Sequence, residues 1–192
     1  MSDVVVGEDG VPRCAWGASS PAYVTYHDEE WGRPVHGESA LFERVTLEGF
    51  QSGLSWLTIL RKRPGFRDAF DGFDAEKVAA YGEQDRARLM ADTRIVRNNR
   101  KVDAAITNAR AVVALRESGG LDAFMWSYAP AHHASPASFA EVPASSPESV
   151  ALAKALKRAG FVFVGPTTMY AAMQACGLVD DHVAGCHRAA ER

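Results

Sequence analysis

The stretch from Ala40 to Leu54 constrains this chain more than any other, because its apolar residues fall on more than one face of a helix. Leu41 and Val45 share a stripe with Glu48, and Leu47, Phe50 and Leu54 make a second. A helix that is apolar nearly all round is a buried helix, so this segment belongs at the centre of a core. Ser39 fits the N-cap position before it. With 192 residues and 47% hydrophobic content, the chain can supply such a core as one domain, which excludes wholesale disorder.

Other segments read as helices around it. Ser55 to Arg63 forms a helix that Pro64 stops. Residues 74–90 hold two short helices. Asn98 to Ser118 is one long helix, with Val102, Ile106, Ala109 and Val113 on one face and Gly119-Gly120 at its end. Residues 127–147 carry four prolines and read as a long ordered connection. Ser146-Pro147-Glu148 supplies an N-cap, an N1 proline and a first-turn acid to a helix ending at Gly160. A short apolar piece, Phe161 to Val164, leads through Gly165-Pro166 to a last helix ending near Cys176. No segment alternates convincingly as a strand, so the reading is all-α. Residues 1–12, with Gly7, Gly10 and three acids, read as a flexible tail, and residues 13–192 as a single domain.

Three cysteines, Cys14, Cys176 and Cys186, are a poor disulfide framework. The first residues lack a basic, then apolar, leader, and no apolar run approaches the roughly 20 residues of a membrane span. The expectation is a cytoplasmic protein without a membrane partner.

Four features carry chemistry. Cys14 and His27 near one end, with His182 and Cys186 as H-x-x-x-C near the other, amount to a Cys₂His₂ set of the kind that closes a structural Zn²⁺ site. The spacing is not that of a zinc finger, and His36, Cys176 and His187 stay open as alternatives. Glu48 on the buried helix needs compensation, from an internal partner or from a ligand bearing N–H groups or positive charge. Trp16, Tyr23, Tyr26, Trp31 and Trp56 crowd into residues 16–56, as core or as a stacking pocket for a flat cationic ring. Arg94, Arg97, Arg100 and Lys101 cluster at the start of the long helix, with no acid among residues 93–102; a helix N-terminus there favours phosphate.

Taken together, Cys14-Ala15-Trp16, Tyr26-His27-Asp28-Glu29-Glu30-Trp31-Gly32, Leu47-Glu48, Gln51-Ser52-Gly53-Leu54-Ser55-Trp56, Arg94-Ile95-Val96-Arg97, Asn108-Ala109-Arg110 and the run from Gly160 to His182 with Gly185-Cys186 resemble the DNA-3-methyladenine glycosylase I family, over roughly residues 13–187. The resemblance implies an all-α helix-hairpin-helix glycosylase, with the hairpin at about 84–105. It implies a monofunctional enzyme that flips 3-methyladenine out of double-stranded alkylated DNA. Hydrolysis of the N-glycosidic bond then leaves an abasic site for base excision repair and releases the free base. It also implies a structural zinc on Cys14, His27, His182 and Cys186, one per chain, tying the N- and C-terminal segments of a monomer. On this resemblance Glu48 would be the catalytic-site carboxylate, Tyr26 a second polar contact, and Trp56 the stacking platform, with Trp16, Tyr23 and Trp31 around it; Gln51 and Leu54 would wedge into DNA, and Arg94, Arg97, Arg100 and Lys101 would meet phosphates. Two rival readings lack one feature each: a zinc-stapled DNA-binding regulator would need no aromatic pocket around Glu48, and a purine-binding protein would need no DNA affinity.

The net charge of −3 does not oppose DNA binding, because it is uneven. Residues 1–60 hold 3 basic and 9 acidic side chains, whereas residues 61–101 hold 11 and 7. Phosphate contacts belong to the positive segment and the proposed pocket to the negative one.

Overall fold

A computed structural model describes residues 2–190 of the chain. A two-stranded ribbon, β1 (Val4–Val6) and β2 (Pro12–Cys14), precedes a helical body. The body's helices are α1 (Pro21–Glu29), α2 (Glu38–Gln51), α3 (Trp56–Ala69), α4 (Ala75–Ala79), α5 (Glu83–Ala91), α6 (Asn99–Leu115), α7 (Gly120–Trp126), α8 (Pro147–Arg158) and α9 (Pro166–Ala175). Among the described residues no helix is long and apolar enough to cross a membrane.

The helix that is apolar all round lies at the centre. Leu41, Phe42, Val45, Leu47 and Phe50 of α2 are buried, and α3, α6, α7 and α9 pack around it. Its N-cap is Gly37, not Ser39. Gly37 sits at φ +90°, and its N–H donates to Asp122 Oδ2 at 2.5 Å, so a carboxylate from α7 anchors the entry. Ser55 caps α3 by accepting from the Thr58 N–H. Pro64 does not stop α3, which continues to Ala69. One missing backbone donor is outweighed there by burial of Phe66 and Phe70 against Phe50.

The tail reading is corrected. Residues 4–6 pair antiparallel with 12–14, Val4 opposite Cys14 and Val6 opposite Pro12. Val4 packs on the buried cluster of Cys14, Val183 and Cys186, and Asp3 accepts from the Phe139 N–H. Three-residue strands are too short to show alternation, and tertiary contacts hold them. The body is therefore all-helical with one small ribbon.

α5 and α6 flank the connection 92–98, with Asn98 capping α6 by accepting from the Lys101 N–H. Gly65 of α3 lies so close to that connection that a Cβ there would meet the Arg94 Cβ at 2.6 Å. The connection 127–146 contains only a short 3₁₀ turn, Phe139–Glu141. The pieces that build the site are thus α1, α2, the loop between α2 and α3, α9, and the meeting of the ribbon with the C-terminal segment.

Candidate functional site

Trp16, Tyr23, Tyr26, Trp31 and Trp56 line one cleft of about 250 Å³, with Glu48, Gln51, Ala171 and Gln174. Trp16 is the hub: its ring meets Tyr23 at 5.6 Å, Trp31 at 4.9 Å and Tyr26 at 6.4 Å between centroids. Tyr26 and Trp56 lie 5.5 Å apart. The Trp56 indole N–H is buried with no hydrogen-bond partner among the described residues. These rings are both the wall of the cleft and a small core of their own.

Glu48 sits in this cleft from α2. It is only 5% exposed, and its carboxyl has no hydrogen-bond partner among the described residues. Burial raises its pKa to about 8, against an opposing pull from Arg44. Burial, then the nearby Glu48 charge, also pushes the Tyr26 phenol well above its ordinary value. Cys176, behind the same carboxyl, is raised to about 12 by burial.

Arg44, one helical turn before Glu48, went unremarked in the sequence. The rule that singles out Glu48, a charge on an apolar helix, applies equally to it. Its guanidinium donates to Glu30 at 2.9 Å and to Glu43 at 3.2 Å. Arg63 grips Glu30 with two 2.6 Å bonds, and Arg67 grips Glu43 at 2.8 and 2.9 Å. The two carboxylates are therefore occupied, and the cleft floor is left with Glu48 as an acid awaiting a partner.

A second constellation adjoins the cleft, with His27 against Trp16 and His182 against Trp31. Donor atoms of Cys14, His27 and Cys186 all fall within 4.8 Å of one another, and the three residues are buried. Cys186 Sγ is 3.4 Å from His27 Nε2. His182 lies outside that triad, yet its ring meets His27 edge-on at 4.8 Å and its Nε2 is buried without a partner among the described residues. Each imidazole has its other nitrogen held by a carboxylate, His27 Nδ1 by Asp28 at 2.7 Å and His182 Nδ1 by Asp180. That is how metal-ligating histidines are ordinarily oriented. Burial and the neighbouring His27 lower His182 to about 4, so it is neutral and able to ligate at pH 7. A thiol bond from Cys14 lowers Cys186 while Cys14 rises. Two neighbouring sulfurs and the His27 imidazole, beside a His182 Nε2 with no partner among the described residues, are a donor set that fits Zn²⁺.

Of the alternatives, His187 turns to the Pro12 carbonyl at 2.9 Å and forms with His27 and Asp28 a second group whose donor atoms lie within 4.8 Å of one another, whereas His36 stacks on Trp126 and Cys176 lies near Glu48.

Among the basic residues, Arg97 and Arg100 are exposed with no ion-pair partner among the described residues. Arg94 is engaged with Asp92 and Asp68. Lys101, expected to meet phosphate, has its ammonium donating to the Phe50 carbonyl at 2.7 Å and the Ser52 carbonyl at 2.6 Å. It caps the end of α2 and holds the loop carrying Leu54, which is 41% exposed. Gln51 faces the cleft.

A cleft of flat rings around one buried carboxyl without a hydrogen-bond partner among the described residues is suited to a flat ring bearing N–H groups. A family model described as methyladenine glycosylase matches residues 16–189. The DNA-3-methyladenine glycosylase 1 of Escherichia coli (strain K12) is 47% identical over 180 residues, covering 91% of this chain and 95% of that protein. The DNA-3-methyladenine glycosylase of Haemophilus influenzae (strain ATCC 51907 / DSM 11121 / KW20 / Rd) is 42% identical over 178 residues, covering 91% and 96%. A solved structure of 3-methyladenine DNA glycosylase I from Staphylococcus aureus, described for its recognition of 3-methyladenine, matches at TM-score 0.88 with 34% identity, covering 94% of this chain and 97% of that one. The chain belongs to the methyladenine glycosylase family.

Proposed function

We propose that this chain is a DNA glycosylase that extrudes 3-methyladenine from alkylated double-stranded DNA and hydrolyses its N-glycosidic bond, leaving an abasic site. The observation that carries the reading is Glu48, a buried carboxyl with no hydrogen-bond partner among the described residues, in an aromatic cleft. Family membership supports it. In DNA, 3-methyladenine is a cation, and extruding it from the stack costs a few kcal/mol, least for a damaged pair. Stacking on Trp56 offsets about 1–3 kcal/mol of that cost. Glu48, ionised as the cation enters, accepts the base's N–H groups, each such bond contributing roughly 1.5–3 kcal/mol. Tyr26 supplies a second polar contact, and Trp16, Tyr23 and Trp31 exclude water. Ordinary adenine, which is neutral, gains no charge pairing from Glu48. The cationic base departs with the bonding electron pair as the sugar takes on oxocarbenium character. Water then adds to the sugar carbon and loses a proton.

Cys14, His27, His182 and Cys186 would hold one structural Zn²⁺, which when bound ties the ribbon and α1 to the C-terminal segment. Asp28 and Asp180 orient the two imidazoles for it. α5 and α6 serve as a helix-hairpin-helix element, with Arg97 and Arg100 for phosphates, and the enzyme works as a cytoplasmic monomer. The test is release of free 3-methyladenine from methylated duplex DNA, identified chromatographically. Wild-type release, together with its loss in Glu48→Gln, supports the reading. Absence of release from the wild type overturns it.

A further inference from the structure

Five large apolar side chains are exposed among the described residues, and three of them, Leu54, Val162 and Phe163, belong to the two loops at the C-terminal end of α2. Phe163 is unusual in a second respect. Its backbone sits at φ +58°, a left-handed conformation that a bulky residue adopts only when its surroundings impose it.

The surroundings do impose it. Phe161 and Val164 are buried anchors on either side of the exposed pair Val162 and Phe163. Asn108, itself buried in α6, clamps the Val162 backbone in both directions: its side-chain amide donates to the Val162 carbonyl at 3.1 Å, and the Val162 N–H donates to its side-chain oxygen at 2.8 Å. A Cβ added at Gly49 would lie 3.9 Å from the Phe163 Cβ, so the ring's base rests on the last turn of α2. That turn carries Glu48 and Gln51 into the cleft and leads into the loop bearing Leu54. Lys101, which holds that loop, lines the same shallow depression as Phe163. Arg97 and Arg100 lie just before Lys101 in sequence. A 44% exposed aromatic ring, carried on a backbone held against its own preference, thus stands on the last turn of α2, in the depression it shares with Lys101.

We propose that Phe163 is a DNA-contacting wedge whose ring packs into the base stack of the duplex beside the extruded nucleotide, alongside Leu54. The inference rests on the glycosylase reading above. Apolar side chains inserted between base steps are a general means of holding a duplex kinked and partly unstacked. A backbone clamped at Val162 and anchored by Phe161 and Val164 presents the ring at one fixed place on the surface, which is the function the backbone strain serves.

Phe163→Ala should lower affinity for a duplex carrying a tetrahydrofuran abasic-site analogue by roughly 5- to 100-fold, the range for removing one aromatic–base stacking contact. Its salt slope should stay at the wild-type value, because no phosphate contact is removed, and binding of free 3-methyladenine in the intact cleft should also stay unchanged. Phe163→Gly should lose the same affinity while unfolding at the same or a higher urea midpoint, because glycine accepts φ +58° without strain. That variant separates a lost contact from a lost fold. Duplex affinity within about twofold of wild type in either variant, at the resolution of a binding titration, overturns the wedge, as does a parallel loss of free-base binding. If the wild type releases 3-methyladenine from methylated duplex and Phe163→Ala does so at the same single-turnover rate, the wedge fails and the glycosylase reading stands. If the wild type releases none, both fail.

Discussion

Glu48→Gln tests whether the cleft carboxyl is held for a ligand at a cost to the fold. The buried acid has a pKa of about 8 in the folded chain, against an ordinary value of 4.5. Below pH 4.5 both folded and unfolded states carry the proton. Between 4.5 and 8 the unfolded chain releases it and the folded chain keeps it, so wild-type stability falls as pH climbs through that window. At pH 7 the linked loss comes to about 3 kcal/mol, and it levels off above pH 8. Glutamine has the same shape and no proton to lose. Urea unfolding of both proteins from pH 5 to pH 8 should therefore give a stability difference that is small at pH 5 and favours the variant increasingly above it. Groups common to both proteins cancel in that difference. The same variant should lose excision, because a neutral amide cannot answer a cationic base with charge. Parallel stability profiles for the two proteins, or a variant less stable than wild type at pH 8, would refute the claim that the carboxyl is buried without a partner. Binding of a cationic ligand should draw the proton off Glu48, so below pH 8 one proton should appear in the buffer per ligand bound, measurable by calorimetry in buffers of different ionisation enthalpy.

Trp56→Ala should weaken free 3-methyladenine binding by about 1–3 kcal/mol with little change in salt dependence, as read by tryptophan-quenching titration. Purified protein should contain about one zinc per chain by elemental analysis, and chelation should lower the unfolding midpoint in wild type but not in Cys14→Ser/Cys186→Ser. Arg97→Ala should reduce affinity for duplexes of every sequence alike and flatten the salt slope by about one, whereas Lys101→Met should act instead through the loop, lowering duplex affinity with a smaller change in slope.

What the sequence made legible follows from the range of the forces involved. Local signals worked: Ser55, Asn98 and Ser146 cap the helices they were expected to cap or adjoin, and the burial of α2 follows from its composition alone. Signals that depend on distant packing were missed. Pro64 reads as a stop only if Phe66 and Phe70 are left out of account. The ribbon at residues 4–14 is invisible without Val183 and Cys186 to cover it, and α7 follows a Gly-Gly pair that reads as punctuation. At the site, the aromatic cluster and Glu48 were visible as anomalies of type and place. Cys14 and Cys186, 172 positions apart in the chain, could be grouped by residue type as half of a Cys₂His₂ set but not by any finger-like spacing, and the fold then brings them together with His27.

Charge shows most clearly why a sum over a segment is not a surface. Residues 61–101 carry a net excess of basic side chains, yet most of these are engaged within the protein. Arg63 and Arg67 lock Glu30 and Glu43, Arg86 pairs with Asp103, Arg88 with Asp85 and Arg94 with Asp92, while Lys62 and Lys101 donate to backbone carbonyls. Engaged cations contribute little to counterion release, which scales with phosphates actually neutralised. With Arg97 and Arg100 as the exposed cations of residues 92–101 that have no ion-pair partner among the described residues, the slope of log affinity against log salt should lie near about −2, well short of proteins that coat DNA. Undamaged duplex is then held weakly, and discrimination falls to the cleft and its flanking apolar side chains. A measured slope steeper than about −5 would mean that the internal ion pairs open on DNA, and that the arginines bracing α2 exchange their carboxylates for phosphates.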